Sequence, residues 1–138
     1  MKIIDASGFV CGRLSSAVAK MLLNGESVAI INVEKAVISG SPASIARLYK
    51  ERLDRGDKYK GPFLSRLPDR MIHRMIRGML PYKQDIGRKA LRRLHVYIGS
   101  PKGIAGNAFE ANFKKSSDLT SEYVTLQDLS HKLGRKPM

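Results

Sequence analysis

Apolar positions along this chain change period several times, and each change of period marks the edge of an element. Lys2 to Asp5 is a short β-branched run, followed by the turn residues of Gly8 to Gly12. Leu14, Ala17, Val18, Met21 and Leu22 then recur at helical offsets, and Asn24-Gly25 offers the left-handed cap that ends a helix. Val28 to Val33 is apolar throughout except at Asn32, the pattern of a strand buried on both faces. Ala36 to Ile38 is a second short run, ending at Ser39-Gly40. Ser41 stands where a helix cap belongs and Pro42 suits the first helical position, because its missing N–H would be unpaired there anyway. The predicted inner face of this second helix is Ile45, Leu48, Tyr49 and Leu53.

Gly56 to Pro68 has no sustained periodicity and reads as an ordered loop. From Asp69 to Leu80 two stripes separate cleanly. Met71, Ile72, Met75, Ile76, Met79 and Leu80 form an inner face, while Arg70, His73, Arg74 and Arg77 form an outer ridge. Gly78 weakens the last turn and Pro81 ends the helix. A second basic helix over about Gln84 to Arg93 follows, and His95 to Ile98 alternates like a strand. Residues 99–121 are irregular, as in segments whose contacts come from another molecule. Glu122 to Val124 is a last strand. Thr125-Leu126-Gln127-Asp128 has capping-box spacing, with Asp for the usual Glu or Gln, before a closing helix to Leu133 capped by Gly134. This alternation predicts one α/β domain over residues 1–138 with a parallel sheet, no internal repeat, and a basic excursion at about 56–93.

Composition sharpens the picture at two points. Cys11 is the sole cysteine among 138 residues, which excludes an intrachain disulfide and favours a reducing, cytoplasmic setting. Met1 to Asp5 runs straight into a strand pattern without the form of a secretory leader, and no stretch reaches the ~18 apolar residues a membrane span needs. Charge is more telling. Lys58 to Arg93 holds eleven of the twenty-five Lys and Arg residues and only the acids Asp69 and Asp85, a net +9 against +2 in each flank. Charge concentrated against its own repulsion implies a polyanion, and nucleic acid is the commonest one; a solvated face and an anionic membrane surface are the competing readings. Tyr59, Phe63 and Tyr82 are interleaved with this charge and could stack on unpaired bases.

Catalytic chemistry finds little support. Gly8-Phe9-Val10-Cys11-Gly12-Arg13 sits between strand and helix, where backbone N–H groups can cradle phosphate. It departs from the phosphate-loop pattern, with Arg13 in place of Lys and Leu14 in place of the magnesium-binding hydroxyl residue. A structural turn is preferred, with an RNA phosphate near Arg13 compatible with it. A small nucleotide-dependent α/β enzyme using this turn is the rival. His73, His95 and His131 lack companions at metal-ligand spacing, Cys11 lacks a general base, and Asp5 reads as a turn stabiliser. Gly99 to Gly103 reads as a turn. No catalytic residue, metal or cofactor is expected.

Arg74-Met75-Ile76-Arg77-Gly78-Met79-Leu80-Pro81, followed by Gly87, Ala90-Leu91 and Leu94, resembles the signature of the universal large-subunit ribosomal protein family numbered thirteen. Ile4-Asp5-Ala6, Gly8, Gly12-Arg13-Leu14-Ser15, Ile31-Asn32-Val33-Glu34 and Ser39-Gly40 are similar to its earlier motifs, and Gly61-Pro62, Arg66 and Pro68 to its archaeal and eukaryotic branch. The resemblance covers about residues 3–101. It implies a three-layer α/β/α fold on a four-stranded parallel sheet, and a non-catalytic, cytoplasmic constituent of the large subunit whose partners are ribosomal RNA and neighbouring ribosomal proteins. Carried over by motif, Arg66, Arg74, Arg77 and Lys83 are RNA contacts and Gly78 a point of close backbone approach. Charge geometry adds Lys58, Lys60, Arg70, Arg88, Lys89, Arg92 and Arg93. Lys114, Lys115 and the basic tail lie beyond the pattern, and a regulator binding RNA off the ribosome is a second alternative.

Overall fold

Strand β1 (Lys2–Asp5) ends where Asp5 turns the chain, and helix α1 (Cys11–Leu23) follows. The computed structural model describes residues 2–57, 59–102 and 119–134. Lys58, residues 103–118 of the segment expected to be irregular, Lys114 and Lys115 within it, and the tail 135–138 lie outside the described residues. In α1 the expected stripe is the buried one: Leu14, Val18 and Leu22 are sealed, and Gly25 adopts φ 91° just past the helix end. Strand β2 (Val28–Ile31) is buried at every position, as a strand covered on both faces must be.

Asn32, at φ 55°, breaks β2, since Asn tolerates the left-handed region better than most residues. One turn of 3₁₀ helix (Val33–Lys35) then leads to β3 (Val37–Ser39). Helices α2 (Pro42–Asp54), α3 (Pro68–Met79) and α4 (Asp85–Arg92) precede β4 (Leu94–Val96), β5 (Tyr123–Thr125) and α5 (Leu126–Lys132). The parallel sheet has the order β1-β2-β4, with Ile4 opposite Ile30 and Ile30 opposite Val96.

Three strands, not the four expected, make up that sheet among the described residues. The connection from β2 explains the difference. Only residues 32–36 separate β2 from β3, whereas a parallel neighbour needs a crossover of roughly a dozen residues or more. β3 therefore cannot return beside β2 in parallel. It pairs antiparallel with β5, Ile38 opposite Val124, and touches the α1 entry through a single bridge from Val37 to Val10.

One apolar core joins these pieces. Leu14 and Val18 of α1, Ile30 of β2, Ile72 and Ile76 of α3, and Leu126 and Leu129 of α5 are all among its buried side chains. Burial of each such side chain contributes about 1.5–3 kcal/mol against chain entropy. The closing helix is capped as its spacing predicts, with the Asp128 N–H donating to Thr125 Oγ1 at 3.2 Å.

Two expected core positions are not in the core. Leu48 is 44% exposed, because α2 carries no fully buried residue and packs only through Ile45, Ala46, Tyr49 and Leu53. Met79 is 45% exposed at the last residue of α3. Helical angle sets the direction of a side chain; whether a neighbour stands there is a tertiary matter.

Candidate nucleic-acid interface

Helix α3 supplies the frame of the basic surface. Pro68 opens it with φ already suited to a helix, and Asp69 in its first turn faces the positive end of the helix dipole. Met71, Ile72, Ile76 and Leu80 are buried, which fixes the rotation of the helix and turns Arg70, Arg74 and Arg77 outward to solvent. The expected separation of stripes holds for these arginines and for Met71, Ile72, Ile76 and Leu80, but not for Met79, which is exposed. His73, expected on the outer ridge, is instead half-buried, and burial first, then the Arg77 charge, lowers its pKa against the opposing pull of Asp69. Both influences favour the neutral form of His73 beside the ridge.

Arg77 lies over the ring of Tyr82, 4.9 Å from its centroid. One face of Tyr82 is therefore already covered by a guanidinium, while Tyr59 and Phe63 are 80% and 69% exposed. Gly61 and Asp57 close the loop beneath them, exchanging backbone hydrogen bonds of 2.9 and 3.0 Å. Gly78 is exposed, and a Cβ built on it meets no atom within 4 Å, so the α3 end is open to close approach.

Helix α4 is held against the end of α3 by an unusually close contact. A Cβ at Gly87 would overlap the Pro81 carbonyl and crowd the Tyr82 N–H, so only glycine fits there. Arg88, Lys89 and Arg92 project from α4 into solvent. Arg93 does not. Its Nη2 donates to the Leu22 carbonyl at 2.6 Å, a second donor at the end of α1 beside the Gly25 N–H at 3.1 Å. Arg66, Lys60 and Lys83 are exposed, and Arg13 is exposed on the first turn of α1. Among the described residues, the single ion pair in the basic block joins Arg88 to Asp85 at 3.8 Å. Among the described residues its other cations have no ion pair.

Two residues outside the block join this surface, unnoticed in the sequence because charge there is nearly balanced. Arg52 and Arg55, at the end of α2, face Arg70 and Arg74 across a cavity of about 450 Å³, floored by Tyr49, Leu64, Met71 and Met75. Arg52 lies 5.3 Å from the Tyr49 ring centroid. A second depression of about 400 Å³ lies between Phe63 and the α3 residues His73 and Arg77, and it shares Arg70 and Arg74 with the first. The local signal for Arg52 and Arg55 was their position four and seven residues after Leu48, on the helix flank beside Tyr49.

The residues weighed for catalysis are committed elsewhere. Asp5 Oδ1 accepts from the Ser7 N–H and Oγ–H at 2.9 and 2.7 Å and from Asn32 Nδ2 at 3.2 Å. Burial works to raise the Asp5 pKa, but these hydrogen bonds and the nearby Lys35 charge outweigh it and leave it lowered. In the glycine turn the Gly8 N–H donates to Lys35 O and the Phe9 N–H to Ala6 O, so these donors are not turned to a ligand. Burial pushes the Cys11 thiol up to about 12, far from a nucleophile's range. The Gly99 N–H donates to Glu34 Oε2 at 3.0 Å, tying that turn to the sheet end.

The ribosomal protein L13 family profile matches residues 1–103. A protein of Archaeoglobus fulgidus named large ribosomal subunit protein uL13 is 49% identical over 136 residues, covering 96% of this chain and 86% of that protein. Namesakes in Methanosarcina barkeri and Methanocaldococcus jannaschii are 45% and 41% identical, each over 99% of both chains.

Proposed function

Since the chain belongs to the ribosomal protein L13 family, we propose that it works as a structural constituent of the large ribosomal subunit, organising ribosomal RNA through the surface built on α3 and α4. The observation that carries the RNA reading is the segregation on α3. Met71, Ile72 and Ile76 are buried on one side, while Arg70, Arg74 and Arg77 stand in solvent on the other without acidic partners among the described residues. Arg suits this task because its planar fork bridges phosphate oxygens, and A-form RNA offers phosphates and shape more readily than base edges.

In this reading Arg66, Arg70, Arg74, Arg77, Lys60, Lys83, Arg88, Lys89 and Arg92 neutralise phosphates, and Gly78 lets RNA backbone come close. Lys58 and Arg13 are assigned the same role at the margins. Arg93 acts mainly by anchoring α4 to α1, because its guanidinium already serves Leu22. Residues 1–138 act as one domain, the α/β body being a rigid frame for the excursion at 56–93, and the three-layer arrangement is retained for that body. The protein is not an enzyme, its partners are ribosomal RNA and neighbouring large-subunit proteins, and it resides in cytoplasmic ribosomes.

Purified large subunits washed in high salt are expected to retain this chain at about one copy each. A tagged Arg74→Glu, Arg77→Glu double variant is expected to be depleted from them while remaining folded when free. Absence of the unaltered chain from washed subunits overturns the assignment.

A further inference from the structure

The cavity between α2 and α3 differs from the rest of the basic surface in having an apolar floor. Phosphate neutralisation needs only exposed cations. A floor of Tyr49, Met71 and Met75 beneath four guanidiniums is chemistry for a flat, apolar-faced group carried on an anionic chain. We infer that this groove seats a single unstacked RNA nucleotide, its base on the Tyr49–Met71–Met75 floor and its flanking phosphates among Arg52, Arg55, Arg70 and Arg74.

Size and charge both favour this occupant. About 450 Å³ lies in the range of small-ligand pockets, roughly 300–1,000 Å³, and admits one base with its sugar but not a duplex. No acid lines the groove among the described residues and four arginines do, so an occupant bringing its own negative charge is matched by its lining. RNA is recognised through such splayed-out bases, stacked on aromatic side chains or guanidinium planes. Arg52 already lies beside this floor, 5.3 Å from the Tyr49 ring centroid, where it can meet a phosphate flanking the seated base. Gly78 leaves one end of the groove unobstructed for the incoming backbone.

The inference rests on the RNA reading above but requires α2, which that reading does not use. The test therefore compares two double variants of the full chain binding deproteinised large-subunit ribosomal RNA. Arg52→Gln with Arg55→Gln is expected to weaken binding about tenfold and to flatten the salt dependence by roughly 0.7–0.9 for each lost phosphate contact. The melting temperature should hold, since both side chains are exposed. If the glutamine pair lowers it, Arg52→Lys with Arg55→Lys is used instead; it keeps the charge, so the salt slope is retained while affinity still falls severalfold. Unchanged affinity in these variants, with Arg74→Glu, Arg77→Glu still impaired, overturns the groove and spares the wider surface. Unchanged affinity in all of them overturns the RNA reading itself. Ultraviolet irradiation of purified large subunits should place nucleotide adducts on Tyr49, Met71 or Met75. Adducts confined to other residues, or a neighbouring protein cross-linked to this floor, overturn the inference.

Discussion

Single residues do unequal work in this surface, and glycines show it most clearly. Gly87 and Gly78 both sit in basic helices, yet they are glycine for opposite reasons. At Gly87 a methyl group would collide with backbone at Pro81, which cannot withdraw without moving α4. At Gly78 there is open space and the backbone is helical. Gly87→Ala is therefore expected to cost about 1–3 kcal/mol. Gly78→Ala should raise stability by about 0.5–1 kcal/mol, the usual gain on replacing a helical glycine. Urea melts of the two variants read the opposite signs directly, and a neutral Gly87→Ala would mean that α4 is not braced on the Pro81 turn. The same distinction separates Arg93, held by Leu22, from Arg92, which projects into solvent.

At the scale of the element, α3 is a device for orienting arginines. Its apolar side is locked into the core, so the helix cannot rotate and the backbone positions of Arg70, Arg74 and Arg77 keep a fixed spacing on its outer side. Stability and binding should therefore separate by face. Ile76→Ala removes a fully buried side chain and is expected to cost about 2–5 kcal/mol with little direct effect on RNA affinity of the folded fraction. Arg74→Glu with Arg77→Glu is expected to cost under about 1 kcal/mol, mostly the Arg77–Tyr82 contact, while RNA affinity falls steeply. Thermal melting paired with filter binding measures both quantities. Equal losses of stability from the two variants would show that the faces are not independent.

Across the whole molecule, the sheet and core set the distance between α2, α3 and α4, so that cations far apart in sequence share one surface. Arg52 and Arg74 line the same cavity although they stand 22 positions apart in the sequence. Binding that depends on many such contacts must depend on salt. With six or more phosphates neutralised, the logarithm of the RNA association constant should fall with the logarithm of salt concentration with a slope of about −4 or steeper. A flat response would mean that the basic surface does not meet phosphate.

What the sequence determined by itself is whatever depends on neighbours along the chain. The buried stripe of α1, that of α3 apart from Met79, the β2 run as far as Ile31, the Thr125 cap and the concentration of charge in 58–93 all follow from local spacing. The motif run from Arg74 to Pro81 likewise carried the family. Tertiary structure alone decided which local possibilities met a partner. It left Leu48 and Met79 in solvent, drew Arg93 to the end of α1, and half-buried His73. The short link after β2 turned β3 from the parallel sheet to β5, and helix packing brought Arg52 and Arg55 beside the ridge. Periodicity gives a side chain its direction; only the folded chain supplies what it points at.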